Sequence, residues 1–555
     1  MNEIGPQLNA SRDALRRVLQ NPDLRRLEVA WTLSIAAQWA LVVALLVYTY
    51  ERGGAVAVGL LGVARTLPTL IGVPLATTLG DRHSRIRVLL GVYLTAVATA
   101  VVAAVALVQD ASIPIILVIA GVNAVANAAV RPLQNAIVPG LARSPEELVA
   151  ANVATSTGEG VGVLVGPGVA GVLLVVGPAV VAAVGAVGIG FAMIVLTGIR
   201  RPVLAPKQAG RTDRAGKGSA ARGLLTGVSA LRTLPTQFLV IAVFGVQPFV
   251  RGMLTVLIVV ASIELLGLGD PGVGLLNSAI GAGGIIGAVG TILLVGRRRL
   301  VPFFVLGLVF WGIPITILGL APLPWVAILA MGVVGAANAV LDVAGFTTMQ
   351  RTIPNAVRAS VMGLFEGEVA AMAGLGGIVA PLLLMFFDIE QVLVVTGAIL
   401  PVVTMATYRG LRRADDIALV PDRQLQLLRG VEMFSPLPIT VIEELAGGLI
   451  PVEFAPGDAL MRAGDSGDRF VLIDSGEVCV ELEGVTVRTI GGGGYVGEIA
   501  LLRGIPRTAT VRAVTEIRAF ELESASFVAA VTGDRDAALS ADRVIAKRLS
   551  NADDR

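Results

Sequence analysis

The chain has 555 residues, of which 55% are hydrophobic and 15% are charged, and this composition is typical of a membrane protein. The single cysteine, Cys479, excludes an internal disulfide framework and a thiolate metal cluster, and the single histidine, His83, excludes a multi-histidine metal site. The net charge of +2 hides an acidic carboxyl-terminal part: residues 409–555 carry 17 Lys and Arg against 23 Asp and Glu, which argues against nucleic-acid binding there.

The first 27 residues are polar and lack the short apolar core and cleavage site of a signal peptide. We interpret residues 1–27 as a cytoplasmic segment. Within it, residues 11–19 suit a short amphipathic helix on the membrane surface, and a disordered leader is the alternative.

Twelve apolar runs follow, each long enough to cross about 30 Å of hydrocarbon as a helix. They lie near residues 28–50, 54–79, 88–108, 113–137, 148–176, 179–198, 235–263, 272–295, 301–320, 323–349, 359–386 and 391–408. The sequence therefore predicts an all-α membrane body of twelve transmembrane helices, without a phosphate-binding loop that would mark an energy-coupling ATPase.

The loop charges predict the orientation of these spans. One set of loops contains Arg52 as its single basic residue, beside several acidic residues that include Glu51, Asp110 and Asp270. The other set contains arginine clusters, for example within 200–222 and 409–413. Cytoplasmic loops carry the excess of Lys and Arg, so both termini are expected in the cytoplasm. The expected location of the protein is the inner membrane of the cell.

An internal repeat relates the two halves of the membrane body. A shift of 215 residues places Asn123 on Asn338, Asn127 on Asp342 and Pro139 on Pro354. One shift that serves several spans predicts two six-helix halves in parallel repeat, with a central cavity between them.

The loop between the second and third spans contains Gly80-Asp81-Arg82-His83-Ser84-Arg85. It resembles the cytoplasmic loop signature of the major facilitator superfamily, in which Asp81, Arg82 and Arg85 match, while Thr77 and Ser84 stand where glycine is usual. The resemblance implies that this loop pairs with helix ends and helps to latch the outward-facing state.

The fifth span contains Gly162, Gly166, Pro167 and Gly171 at a spacing that resembles the motif of the drug:proton antiporter branch of that family. Glycines four residues apart give a flat face for close helix contact, and the proline kinks the helix. The resemblance implies an exporter whose two halves rock against each other.

Ionisable residues inside the spans are costly in hydrocarbon and often mark a transport pathway. We consider six of them as candidates for transport or proton coupling: Glu159, Asp342, Arg131, Arg65, Glu366 and Glu368. Glu159 and Asp342 are the candidates for carrying a proton, and a structural ion pair of Glu159 with Arg131 or Arg65 is the alternative. Glu366 and Glu368 are candidate gate residues.

From Phe434 onward, short alternating segments are separated by turns rich in glycine and aspartate, which predicts a small β-barrel. The stretch Gly497-Glu498-Ile499-Ala500-Leu501-Leu502, followed by Pro506-Arg507-Thr508-Ala509, resembles the phosphate-binding cassette of the cyclic-nucleotide-binding domain. A scaffold barrel without a ligand is the alternative.

The resemblance assigns a role to each cassette residue. Amides around Ile499 and Ala500, after Gly497, hold the cyclic phosphate, and Arg507 binds its oxygens. Glu498 accepts from the ribose 2′-hydroxyl, and Thr508 contacts phosphate or base. Residues 535–550 form a helix that closes over the base. We expect cAMP as the ligand, with cGMP as the alternative.

The sequence thus predicts a non-enzymatic secondary transporter with a cyclic nucleotide as its regulatory ligand and with the lipid bilayer, protons and a small-molecule substrate as partners. Proton-coupled efflux is expected; a membrane receptor that does not transport and an importer are the alternatives. The predicted domains are 1–27, the amino-terminal half 28–200, a linker 201–231, the carboxyl-terminal half 232–410, a coupling helix and linker 411–433, and the nucleotide-binding domain 434–555.

Overall fold

The computed structural model describes residues 20–70, 72, 84–142, 145–199, 227–294, 297, 299–418, 422–437, 439–482, 484–533 and 535–553. The chain is divided into two compact units, of which the first ends at Ala418 and the second begins at Leu419. The first is helical and the second contains all eight described strands. The amphipathic segment predicted at 11–19 and most of the predicted linker lie outside the described residues.

Long apolar helices build the first unit. They are α1 (Pro22–Thr66), α2 (Arg85–Val108), α3 (Ile113–Leu141), α4 (Pro145–Leu173), α5 (Pro178–Thr197), α6 (Pro235–Val260), α7 (Gly269–Gly290), α8 (Val301–Leu320), α9 (Pro324–Thr352), α10 (Asn355–Leu384) and α11 (Ile389–Ala418). Helix α1 begins before residue 28 and α11 continues beyond residue 410, while the predicted domain boundaries stay a prediction.

Helix α1 begins at a strong cap and contains a break. The Asn21 side chain accepts hydrogen bonds from the Asp23 and Leu24 amides, at 3.2 and 3.4 Å, and Pro22 occupies the first turn. At Gly54 the backbone leaves the helical region, with φ 60° and ψ −160°, which a residue with a side chain rarely adopts. The break lies where the first and second predicted spans meet, so α1 contains the first predicted span and the part of the second that ends at Thr66.

Ten helices in the described part of the chain are long and apolar enough to cross a membrane. Helix α1 counts once among them although its break separates two predicted spans. Helix α4 overlaps the fifth predicted span but is not one of the ten. The membrane-protein fold is confirmed, while the total of twelve spans stays a prediction.

The internal repeat reappears as a hydrogen bond between equivalent positions in each half, with the later residue as donor in α3 and the earlier residue as donor in α9. In α3 the Asn127 amide donates to Asn123 Oδ1 at 2.7 Å, and in α9 the Asn338 amide donates to Asp342 Oδ2 at 2.8 Å. Each pair joins residues four apart on one helix face, and the two pairs are related by the shift of 215. The repeat therefore reflects equivalent positions in the two halves.

The two halves touch at the end of the bundle that carries Glu51, Asp110 and Asp270, which we call the outer end after the predicted orientation. A Cβ atom at Gly171 of α4 would lie 2.8 Å from the Pro271 carbonyl oxygen and 3.4 Å from Gly274 Cα, both on α7. Side chains larger than hydrogen do not fit there, so glycine permits the backbones to touch.

The second unit is a barrel of two antiparallel four-stranded sheets, ordered β1-β8-β3-β6 and β2-β7-β4-β5. The strands are β1 (Ile450–Phe454), β2 (Ala459–Met461), β3 (Arg469–Ser475), β4 (Val478–Leu482), β5 (Val485–Ile490), β6 (Tyr495–Val496), β7 (Thr510–Ala513) and β8 (Ile517–Glu523). In register, Leu472 of β3 faces Phe520 of β8, and Val480 of β4 faces Val511 of β7. The small β-barrel that the sequence predicts is confirmed.

Helices cover the barrel on one side. They are α12 (Asp422–Arg429), α13 (Ile439–Gly447), α14 (Glu498–Arg503), α15 (Ser524–Gly533) and α16 (Arg535–Asp553). Strand β3 is buried on both faces: Val471 and Ile473 lie in the barrel core, whereas Phe470 and Leu472 pack against the helices. The Phe470 ring stacks on Phe527 of α15 at 4.6 Å between centroids, which fixes the helices against the sheet.

Candidate functional site

The turn into helix α14 is built around Gly497. This residue has a φ of 98°, in the left-handed region, and a Cβ atom there would lie 2.5 Å from Arg507 Nη1 and 2.9 Å from the Arg469 carbonyl oxygen. Both the backbone angle and the space require glycine. The turn brings the start of α14 and the Arg507 side chain together.

The Arg507 guanidinium is almost fully buried, with 5% of its side chain exposed. Nη1 donates to the Gly497 carbonyl at 3.0 Å, and Nη2 donates to the Arg469 carbonyl at 2.6 Å. The Asp468 carboxylate is 3.9 Å away and largely exposed. Burial lowers the pKa of Arg507, because the charged form loses solvent. Neutral carbonyls orient this cation but do not neutralise it, so the site favours an anion.

The carboxylate of Glu498 is 1% exposed. Its Oε1 atom accepts a 2.6 Å hydrogen bond from Arg548 Nη1, whereas Oε2 is buried without a hydrogen-bond partner among the described residues. Burial raises the pKa of Glu498, and Arg548 opposes that rise. A buried carboxylate oxygen without a donor is costly, so Oε2 is an acceptor that suits a ligand hydroxyl.

Both residues line one cavity of about 780 Å³. Its wall combines the two ionic groups with apolar side chains from β4, β5 and α16: Val480, Leu482, Val487, Ile490 and Val544. A volume of this size is sufficient for a small organic ligand, and the apolar wall suits a flat ring. The cavity therefore offers an anion site, a hydroxyl acceptor and an apolar surface side by side.

Helix α16 covers this cavity through Arg548. Besides its bond to Glu498, Arg548 donates to the Tyr495 carbonyl at 3.2 Å, and its guanidinium lies 4.4 Å from the centre of the Tyr495 ring. The helix matches the segment predicted at 535–550. Arg548 and Tyr495 were not identified from the sequence, because the register of a covering helix depends on tertiary packing.

The remaining predicted cassette residues also surround the cavity. Ile499 and Ala500 lie in the first turn of α14, and Thr508 follows Arg507 on the exposed rim. All six predicted residues, Gly497, Glu498, Ile499, Ala500, Arg507 and Thr508, therefore line one cavity.

A second group of ionisable residues lies between the halves of the membrane body. Arg131 Nη1 of α3 is 3.2 Å from Glu159 Oε1 of α4, and the side chains are 59% and 32% exposed. Asp342 of α9, in the other half, interacts electrostatically with Arg251 of α6 and with both members of that pair. Asp342 thus interacts with two cations and one further carboxylate, and the four groups come from helices α3, α4, α6 and α9.

Polar side chains hold Asp342 in place. Asn338 donates to the Asp342 carboxylate at 2.8 Å, and Asn338 Oδ1 in turn accepts from Gln247 of α6 and Trp311 of α8, each at 3.2 Å. This network fixes the carboxylate on the inner wall of the carboxyl-terminal half.

The other predicted transport residues lie elsewhere. Arg65 is in the last turn of α1, Glu366 is exposed on α10, and the Glu368 carboxylate lies against Gly245 of α6. In the described ranges, no hydrogen bond connects these three side chains to the group around Asp342.

The glycine motif of α4 faces two helices. Gly162 and Gly166 lie against Ile35 and Ala36 of α1, whereas Pro167 and Gly171 contact Gly274 of α7. The motif therefore lies between a helix of each half. Of the predicted loop residues, Arg85 donates to the Ala136 carbonyl at 2.8 Å, and Asp81 and Arg82 lie outside the described residues.

One buried carboxylate was not identified from the sequence. Glu28 in α1 is 7% exposed, accepts from Thr155 of α4 at 2.9 Å and from Gln134 of α3 at 3.4 Å. It was missed because it is the first residue of the first predicted span and resembles part of the polar leader.

Comparisons with known proteins match both units. The family model described as Major Facilitator Superfamily matches residues 29–381, which is more than half of the chain. A model described as Cyclic nucleotide-binding domain matches residues 451–534.

Individual relatives also match one part of the chain each, either the membrane body or the nucleotide-binding domain. The cAMP-dependent protein kinase regulatory subunit of Emericella nidulans is 38% identical over 97 residues, which cover 17% of this chain and 24% of that protein. The crystal structure of the nucleoside transporter NupG matches with a TM-score of 0.59 at 14% identity, over 70% of this chain and 99% of that one, and shows the fold alone. The regulatory domain of Toxoplasma gondii PKA with cAMP matches at 22% identity and a TM-score of 0.22, over 25% and 55% of the chains.

Proposed function

Because this chain belongs to the Major Facilitator Superfamily and carries a cyclic nucleotide-binding domain, we propose that it is a secondary transporter whose activity a cyclic nucleotide regulates. The transport is proton-coupled efflux of a small molecule across the inner membrane. Both termini and the nucleotide-binding domain lie in the cytoplasm, where the second messenger is available.

One observation carries the regulatory part of this proposal. In the same cavity, the buried Arg507 guanidinium has no carboxylate at hydrogen-bond distance among the described residues, and Glu498 Oε2 lacks a donor. A ribonucleoside cyclic phosphate supplies what each group needs, an anion for Arg507 and a 2′-hydroxyl for Glu498. The amides of Ile499 and Ala500 hold the phosphate from the start of α14, beside Gly497.

The apolar wall receives the base. Val480, Leu482 and Val544 line the cavity at positions suited to a flat ring, and Thr508 stands at the rim. We favour cAMP, the nucleotide on which the Emericella nidulans relative depends according to its name. Thr508 offers a hydroxyl to a guanine edge as well, so cGMP is the second ligand to test.

Regulation follows from the position of Arg548. This residue joins α16 to Glu498, so a ligand that binds Glu498 acts on the same carboxylate that holds the covering helix. Movement of α16 reaches the transporter through the segment 420–433, of which α12 is the described helical part. A nucleotide regulates transport only if it binds the transporter's conformational states with different affinities.

The transport step uses the group around Asp342. Asp342 and Glu159 are carboxylates inside the membrane body, each beside an arginine, and such groups commonly exchange protons in transporters. Antiport follows if proton binding at this group and substrate binding to the central cavity exclude each other.

The ribose contact is tested with the Glu498→Gln variant. In the wild-type protein, cAMP is expected to bind roughly 10- to 100-fold more tightly than 2′-deoxy-cAMP, because removal of the hydroxyl leaves a buried carboxylate oxygen without a donor. In Glu498→Gln this preference should fall to within about threefold, since a neutral amide oxygen is a weaker acceptor. Isothermal titration calorimetry on the detergent-solubilised full chain measures both ratios.

Glu477→Gln is the matched control, because Glu477 lies on the same domain outside the cavity lining. It should retain the wild-type preference. An unchanged ratio in Glu498→Gln would show that Glu498 does not contact the ribose, and absence of binding by any cyclic nucleotide would overturn the proposed regulation.

A further inference from the structure

Helix α6 of the membrane body carries an isolated exposed charge. Throughout residues 239–260, all of which the structure describes, Arg251 alone is exposed, and its neighbours Val250 and Gly252 are buried. A helix on the lipid-facing surface would expose a side chain at every third or fourth residue of one stripe. The isolated exposure of Arg251 therefore indicates that its guanidinium enters a space enclosed by helices, and not the bilayer.

This guanidinium lacks a counterion. The Arg251 carbonyl accepts from the Thr255 hydroxyl at 2.9 Å, but in the described ranges the guanidinium has no hydrogen-bond or ion-pair partner. A cation inside a membrane protein is costly when no anion compensates it. Arg131 differs in this respect, because Glu159 lies 3.2 Å from it. Arg251 is therefore available to an anionic group.

Asp342 on α9 is a carboxylate in the converse situation. Its Oδ2 atom accepts from the Asn338 amide at 2.8 Å, and no cation lies within ion-pair distance of it among the described residues. The side chain is half-buried. A neutral amide orients the carboxylate but does not neutralise it. Asp342 therefore suits a cationic group, or the proton that the proposed function assigns to it.

Two contacts define how α6 and α9 run past each other. Gln247 of α6 donates to Asn338 of α9 at 3.2 Å, and the Phe244 ring of α6 lies 5.5 Å from the Phe346 ring of α9, measured between centroids. The earlier residue of α6 thus faces the later residue of α9. The two helices are therefore antiparallel where they meet.

This arrangement separates the two charges by a definite amount. Arg251 lies one turn beyond Gln247 towards the outer end, whereas Asp342 lies one turn beyond Asn338 in the opposite direction. At 1.5 Å of rise per residue, their Cα atoms are roughly 12 Å apart along the helix axes. The two groups are close enough to interact electrostatically, yet they form no ion pair with each other. A molecule with two opposite charges fits between them.

From these positions we propose that the transported molecule is a zwitterion, whose anionic group binds Arg251 and whose cationic group binds Asp342. A guanidinium forms paired hydrogen bonds with a carboxylate or a phosphate. A proton on Asp342 removes the charge that holds the cationic group, so the proton and the substrate exclude each other there. This inference rests on the proposed proton-coupled transport, and it names the chemical class of the substrate.

Binding of charged alkyl chains tests this assignment. The probes are ω-aminobutanoate, ω-aminohexanoate and ω-aminooctanoate, with hexanoate and hexylamine as singly charged counterparts. The full chain in lipid nanodiscs is titrated calorimetrically with each probe up to about 10 mM, and empty nanodiscs correct for partition into lipid. At least one ω-amino acid is expected to bind roughly tenfold more tightly than both counterparts, because each charge-assisted contact contributes about that factor.

Two variants separate the contacts. In Arg251→Gln the best ω-amino acid should bind within about threefold of hexylamine, and in Asp342→Asn within about threefold of hexanoate, since one charged contact is lost in each. Arg251 still holds the anionic group in Asp342→Asn, so exchange persists at higher substrate concentration. Arg251→Lys retains the charge and should recover part of the affinity, which covers poor folding of Arg251→Gln. Arg232→Gln, an exposed arginine before α6, should bind as the wild type does.

The outcomes that contradict the assignment are distinct from those that contradict proton coupling. Wild-type affinities that do not favour any ω-amino acid, absence of binding by all probes, or wild-type affinity in both Arg251→Gln and Asp342→Asn would overturn the zwitterion. Gradient-driven efflux of hexanoate or hexylamine from proteoliposomes would also overturn it, while the proposed function would stand. If an ω-amino acid binds as expected but a proton gradient drives no efflux of it, the substrate class stands and the proposed coupling fails.

Discussion

Replacement of Arg507 by alanine is expected to weaken cyclic nucleotide binding by roughly 100- to 1,000-fold, or about 3–4 kcal/mol. The guanidinium is buried and oriented by the carbonyls of Gly497 and Arg469, so the site is organised for an anion before the ligand arrives. Without Arg507, the phosphate would leave water for a cavity that offers it no buried cation in return. Among the described lining residues, Arg548 is also shielded from solvent, but it is bound to Glu498.

Two further variants make this result specific. Arg507→Lys should recover part of the affinity, because a lysine supplies the charge but not the paired donors. Arg503→Ala removes an exposed arginine of α14 outside the cavity lining and should bind as the wild type does. Equal affinity in Arg507→Ala and wild type, measured by calorimetry on protein with an unchanged melting temperature, would show that Arg507 does not bind the phosphate.

Replacement of Asp342 by asparagine is expected to abolish gradient-driven efflux while exchange of substrate between the two sides continues. Asparagine retains the hydrogen bond to Asn338 but neither ionises nor binds a proton. The gradient-driven rate should fall at least about tenfold, as expected for a coupling carboxylate in a membrane interior. Proteoliposomes loaded with a substrate identified by screening allow both rates to be measured on one preparation.

Asp388→Asn in the outer loop is the matched control, since it removes a carboxylate without touching the group around Asp342. It should retain both rates. If Asp342→Asn still drives efflux from a proton gradient, proton coupling belongs to another carboxylate, and the buried Glu28 is the next to test.

The grouping of the predicted cassette residues around one cavity was predictable because they lie within twelve positions of the chain. Gly497, Glu498 and Arg507 form a local turn, and local backbone geometry brings them together whatever surrounds the domain. The shift of 215 residues was informative for a similar reason, since equivalent helix faces in the two halves repeat the contact of Asn127 with Asn123.

Contacts between distant elements were not predictable in the same way. Arg548 reaches Glu498 across 50 residues, and its position depends on the register with which α16 packs on the barrel. The ion pair of Arg131 with Glu159 was one of two alternatives that the sequence left open.

Two functions are joined in one chain if the nucleotide site controls transport. In the proposed regulation, a ligand changes the contact of Glu498 with Arg548 on α16, and this change biases the conformations between which a transporter alternates. Ligand binding and transport can each be present without this connection, so neither assay alone tests it.

The most direct test is the initial rate of transport in proteoliposomes that contain the full chain, with and without saturating cyclic nucleotide on the side of the nucleotide-binding domain. Control by the nucleotide site predicts a rate that changes several-fold with cAMP in the wild type and in Arg503→Ala, and a rate that does not respond in Arg507→Ala. A wild-type rate that is the same across saturating cAMP and cGMP, in protein shown to bind them, would contradict such control.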